Sequence, residues 1–167
     1  MKNTYEVRAQ NFIKQIFPYL ISCRKYRDYE FAVWAFNMKF NRKVIFQHGL
    51  TRIAFITSDY VIKMNFNKGE SQQFGDCESE IALYNEAEQD GFEYLFAKIS
   101  RYEYRNTTFY IMPRISEINK TWNEAWDYMN DEEYDWCCNH CLGDLHCGNY
   151  GWKDGHIVII DYAAWGE

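Results

Sequence analysis

The stretch Leu142–Tyr162, LGDLHCGNYGWKDGHIVIIDY, gathers the side chains best suited to chemistry: Asp144, His146, Asn149 and Asp161. Carboxylate and amide oxygens of this kind are the donors that a hard divalent cation such as Mg²⁺ accepts. A second group lies just upstream. Cys137, Cys138, Cys141 and Cys147 crowd beside His140 and His146, and Cys138-x-x-Cys141 has the inner spacing of a zinc or redox pair. The second pair of a zinc site is missing unless Cys147 or a histidine supplies it. A helix carrying small buried cysteines accounts for the same residues with less. With no secretion signal at the polar N-terminus MKNTYEVRAQ, all six cysteines are expected to be reduced thiols in the cytoplasm.

The elements that must position these residues follow from pattern. Phe12, Ile13, Ile16, Phe17 and Leu20 recur at helical spacing, with Pro18 set to kink or end that helix. Phe31, Val33, Trp34, Ala35 and Met38 predict a second helix. Strand signals follow at Lys43–Gln47, Arg52–Thr57 and Tyr60–Asn65, three antiparallel strands with a turn at Ser58-Asp59. Residues 66–76 read as loop. Asp76–Gln89 returns to helical spacing and ends at Asp90-Gly91. Tyr94–Tyr104 and Thr107–Ile115 read as two more strands joined at Arg105-Asn106. Trp122, Trp126, Met129, Glu133 and Trp136 predict one long helix, with Thr121 as N-cap and Glu124 completing the box. Gly143–Gly148 is an irregular loop. Asn149–Trp152 and His156–Ile160 form a hairpin around Asp154-Gly155. The fold class is therefore α+β: a small antiparallel sheet with one inserted helix, a long helix, a loop and a β-hairpin.

The run Gly143-Asp144-Leu145-His146-Cys147-Gly148-Asn149, the hairpin after it, and Ile159-Ile160-Asp161-Tyr162-Ala163 resemble the catalytic loop and metal-binding strand of the protein kinase-like superfamily. The resemblance is greatest to its aminoglycoside and small-molecule phosphotransferase branch, whose pattern is H-G-D-L-H-x-G-N. Leu142 stands where that pattern has its first histidine. The resemblance implies that Asp144 faces the attacking hydroxyl as catalytic base. It implies that Asn149 and Asp161 hold Mg²⁺ against the phosphates of ATP, whose transfer is catalysed by positioning and charge stabilisation. It extends upstream. Val61-Ile62-Lys63 resembles V-A-I-K, which gives Lys63 the α- and β-phosphates. Glu80, with Glu78 as the alternative, takes the part of the helix glutamate that pairs with that lysine. Phe109–Met112 resembles the strand leading to the hinge, so Met112, Pro113 and Ile115 would meet the adenine. The glycine loop reduces to Gly49.

The resemblance covers residues 43–163. It divides the chain into a helical extension at 1–40, an N-lobe-like sheet at 41–115 and a reduced C-lobe at 116–167. Six residues follow Asp161, so the C-terminal lobe is expected to be truncated. The 167 residues suit one domain, with 47% hydrophobic and 19% aromatic residues. That composition excludes a disordered or collagen-like chain, and no apolar run is long enough for a transmembrane helix.

Net charge is −6 and uneven. Residues 1–115 carry 16 Lys/Arg against 13 Asp/Glu, whereas residues 116–167 carry two lysines against 11 acids. Nucleic acid is therefore not the expected partner of the C-terminal third.

Three functions compete. The first is a minimal ATP- and Mg²⁺-dependent phosphotransferase acting on a small-molecule or protein hydroxyl. The second is a pseudokinase-like protein that binds a protein partner without turnover. The third is an acidic decoy using Asp127, Asp131, Glu132, Glu133 and Asp135. The abundance of tyrosine and tryptophan points to a phage-encoded protein, which would act in the host cytoplasm.

Overall fold

A computed structural model of the chain describes residues 4–49, 51–66, 76–117, 125–140, 142 and 148–162. The described residues form an α+β structure with four α-helices and two antiparallel sheets, divided into two compact units.

The first unit comprises Met1–Phe66 and Ser100–Arg114. Helix α1 (Thr4–Leu20) buries Ala9, Phe12, Ile13, Ile16 and Leu20, the one-sided stripe that its spacing predicts. Pro18 lies inside its last turn, where it cannot donate to the Lys14 carbonyl, and the helix ends two residues later. Helix α2 (Tyr26–Phe40) is longer than the predicted stretch. The Asp28 carboxylate accepts the N–H groups of Arg24 (2.8 Å) and Lys25 (2.9 Å) at its start. Asn41, in the left-handed conformation, ends it.

Strands β1 (Ile45–His48), β2 (Arg52–Ile56), β3 (Tyr60–Asn65), β4 (Ser100–Tyr104) and β5 (Thr107–Pro113) form one sheet in the order β1-β2-β3-β5-β4. Alternation gives the sheet two faces. Ile53, Phe55, Ile62, Met64, Phe109 and Ile111 join the buried side chains of α1 and α2 in one core. The opposite face carries Ala54, Lys63, Tyr110 and Arg101, which are successive cross-strand partners.

The second unit comprises Asn67–Ile99 and Ile115–Glu167. Helix α3 (Cys77–Asp90) is capped by Asp76, whose carboxylate accepts the N–H groups of Glu78 and Ser79, both at 3.0 Å. Gly91 ends α3 at φ 84°, a conformation glycine adopts at no steric cost. Strands β6 (Ser116–Glu117), β7 (Tyr150–Lys153) and β8 (His156–Ile159) make the second sheet. The β7–β8 turn has Asp154 and Gly155 at φ 53° and 88°, as its sequence requires.

Two expectations are corrected here. Residues 94–99 do not continue β4. Glu93–Leu95 is a 3₁₀ turn, Phe96 bridges to Ile159, and the Ala97 N–H donates to the Ile159 carbonyl at 2.9 Å. That segment thus satisfies its backbone on β8. The predicted long helix is also broken. Ala125–Tyr128 is a 3₁₀ turn, and α4 (Asp131–Asn139) starts afresh at Asn130. Asn130 Oδ1 accepts the Glu133 N–H (3.0 Å) while Glu133 Oε2 accepts the Asn130 N–H (2.8 Å). Thr121 and Glu124 lie outside the described residues. No helix among those described is long and apolar enough to cross a membrane.

Candidate functional site

In the first unit, Lys63 sits on β3, the central strand of the sheet, between Ala54 on β2 and Tyr110 on β5. It is 7% exposed. A lysine in an apolar strand is usually at an edge, with its ammonium in water. Burial at the centre is costly for a charge unless the surroundings compensate it. One step along the strands, Val61 pairs with Met112, and both lie on the Lys63 face. Met112 is buried and Pro113, paired with Tyr60, is half-buried. Gly49 follows β1. Its N–H donates to the Arg52 carbonyl (2.9 Å) and its carbonyl accepts the Tyr26 hydroxyl (2.9 Å). A Cβ added at Gly49 would meet no atom within 4 Å, so neither conformation nor crowding demands glycine there.

In the second unit, Asn149 and Asp161 come together at the open end of the β7–β8 hairpin. The Asn149 carbonyl accepts the N–H groups of Ile160 (2.7 Å) and Asp161 (3.2 Å). The hairpin places them there. Tyr150 pairs with Ile159, so Asn149 comes opposite Ile160, the residue before Asp161.

The next residue is anchored twice. The Tyr162 N–H donates to Glu80 Oε1 (3.3 Å), and its hydroxyl donates to the Ala97 carbonyl (2.8 Å). Its ring meets Phe96 edge-on at 5.0 Å between centroids. Burial first, then the Glu80 charge, holds the Tyr162 phenol well above its ordinary pKa of 10.

Glu80 is fully buried on α3, in line with Cys77, Leu83, Tyr84 and Ala87. Glu78, the alternative, is exposed. Ile115 is buried in the second unit. Asp144, His146, Cys141 and Cys147 lie outside the described residues.

Around this site, the Trp136 indole N–H donates to Asp90 (2.9 Å) and the His140 ring stacks on Trp136 at 3.8 Å. Cys137 is buried on α4 and Cys138 is exposed; both are free thiols. Burial above all pushes the Cys137 thiol up to about 12. Among the described residues, no three His, Cys, Asp or Glu side chains gather as a metal cluster would require.

No known family model and no curated protein matches the chain. The functional reading therefore rests on its own residues.

Two features of the site escaped sequence reasoning. One is Tyr162 as an anchor, which alternation does not signal, because Ile159 and Tyr162 are three residues apart and a period of two sets them on opposite faces although both are buried. The other is Tyr110 beside Lys63, which needs the β3–β5 register. That register depends on β5, and not β4, lying next to β3 in the sheet.

Proposed function

We propose that the chain is a minimal kinase-like phosphotransferase that moves the γ-phosphate of ATP to a small-molecule or protein hydroxyl. The observation that carries this reading is the joining of Asn149 to Asp161, with Tyr162 immediately after held by Glu80. The hairpin brings Asn149 and Asp161 together, and Glu80, 82 residues before Tyr162, joins them in one unit.

The donor set fits Mg²⁺. Asn149 and Asp161 offer an amide oxygen and a carboxylate, few enough to leave positions for water and phosphate. When bound, the ion would neutralise phosphate charge. Asp144 would accept the proton of the attacking hydroxyl. Lys63 would orient the α- and β-phosphates, with Gly49 near them. Met112, Pro113 and Ile115 would meet the adenine. Glu80 would position the segment that carries Asp161 by accepting the Tyr162 N–H.

The test is incubation with labelled ATP and Mg²⁺ beside Asp144→Ala and Asp161→Ala. Transfer or hydrolysis by the native chain, lost in both variants, is the expected result.

A second reading has its own support. Phe31, Trp34 and Met38 follow at helical spacing on α2 and are 66%, 57% and 69% exposed. An exposed apolar stripe of this kind suits a protein partner, as a pseudokinase-like binding protein would need. Nucleotide binding without turnover would select it.

A further inference from the structure

We propose that the first unit carries a second binding site, for a small polyanion such as a phosphorylated metabolite, in a cleft of about 480 Å³ whose lining includes none of the residues assigned to ATP. Three elements enclose it. Arg8, Asn11 and Gln15 line it from one face of α1. Arg42 and Lys43 reach it from the connection between α2 and β1. The β2–β3 turn, Thr57 to Tyr60, closes the third side. Phe12, Val44 and Tyr60, all buried, give it an apolar floor.

The charge in the cleft is lopsided. Three cations face one acid, Asp59, and that acid is already engaged. Asp59 Oδ2 meets the Arg8 guanidinium at 2.9 Å and Oδ1 accepts the Ser58 hydroxyl. Asp59 therefore aims Arg8 and leaves the other donors of its fork available. Arg42 and Lys43 form no ion pair or side-chain hydrogen bond among the described residues, and neither do Asn11 and Gln15. Both arginines act electrostatically on the Tyr60 phenol.

The wall opposite α1 is firm. Thr57 Oγ1 accepts the N–H of Tyr60 (3.1 Å), and Arg114 donates from its backbone to the Asp59 carbonyl (3.0 Å) and from its side chain to the Thr57 carbonyl (2.8 Å). A concave site with an apolar floor, amide donors and clustered guanidinium and ammonium groups recognises a compact anion. An extended nucleic-acid backbone would instead want a long basic stripe.

The experiment uses the whole chain and calorimetric titration with inorganic pyrophosphate in the absence of Mg²⁺, beside the Arg42→Ala/Lys43→Ala variant. Both substituted residues are exposed, so the variant should keep the native melting temperature. Saturable binding that weakens about tenfold or more in the variant is the expected result. No saturable binding, binding of equal strength in the variant, or saturable binding of a duplex oligonucleotide but not of pyrophosphate would each overturn the proposal. ATP·Mg²⁺ turnover plays no part in the readout.

Discussion

Glu80 is the residue on which the second unit turns. Its carboxylate is fully buried and accepts the N–H of Tyr162, the residue after Asp161. Removing a buried acceptor leaves the donor unsatisfied, which costs about 1–3 kcal/mol. Glu80→Ala should therefore destabilise the protein by roughly that amount in urea unfolding. Glu80→Gln, which keeps an acceptor oxygen, should cost less. Equal losses in the two variants would remove Glu80 from the positioning of Asp161.

Cys137 supplies a pH test at the same scale. Its folded thiol stands at about 12 against an ordinary value of 9.0, because burial disfavours the thiolate. In the unfolded chain the thiol loses its proton first, so the unfolded state binds fewer protons above pH 9. The stability that this burial provides is thus complete below pH 9 and falls as pH rises toward 12. Tyr94, raised to about 12 by burial and its hydrogen bond to Glu133, acts in the same direction above pH 10. Cys137→Ala should flatten the decline in melting temperature between pH 9 and 10. An unchanged slope would place the alkaline sensitivity elsewhere.

At the scale of elements, local chemistry was legible where it is self-contained. Asp90-Gly91, Arg105-Asn106 and Asp154-Gly155 each mark a chain reversal or helix end that needs positive φ, and each is found there. Where a segment answers to a distant partner, pattern misled. Residues 94–99 are apolar and aromatic enough for a strand, but Tyr94 bonds Glu133 on α4 and Phe96 bridges to β8. No period in the sequence contains those partners.

The start of α4 shows the same limit. Thr121 and Asn130 both offer a cap with Glu three residues on, and only the second opens a helix among the described residues. Asn130→Ala should cost about 1 kcal/mol, measured by chemical unfolding, through loss of the cap. A neutral substitution would show that the reciprocal Asn130–Glu133 bonds contribute nothing. In the candidate site, Lys63, Asn149 and Asp161 were legible as types in a pattern. Glu80 is buried and Glu78 exposed, and that difference is not written in a helix where both positions are acidic.

At the scale of the molecule, the first forty residues are part of a core. Phe12, Ile13, Ile16 and Phe36 lie buried with Ile53, Phe55, Ile62 and Phe109 in one cluster. Burying such side chains contributes roughly 1.5–3 kcal/mol each. A chain lacking residues 1–40 should accordingly lose cooperative folding of the first unit, seen as the loss of its sheet signal in circular dichroism. A truncated chain that melts at the native temperature would contradict this account.

That core covers one face of the sheet and leaves Lys63, Val61 and Met112 on the other. The second unit separately joins Asn149, Asp161 and Glu80. The central claim is that these groups serve ATP and Mg²⁺. Its most direct test is transfer or hydrolysis of labelled ATP with Mg²⁺ by the native chain, Asp144→Ala and Asp161→Ala, with thermal shift on the same samples. The account predicts phosphate release or transfer by the native chain alone. No turnover and no nucleotide-dependent shift in the native chain would contradict it.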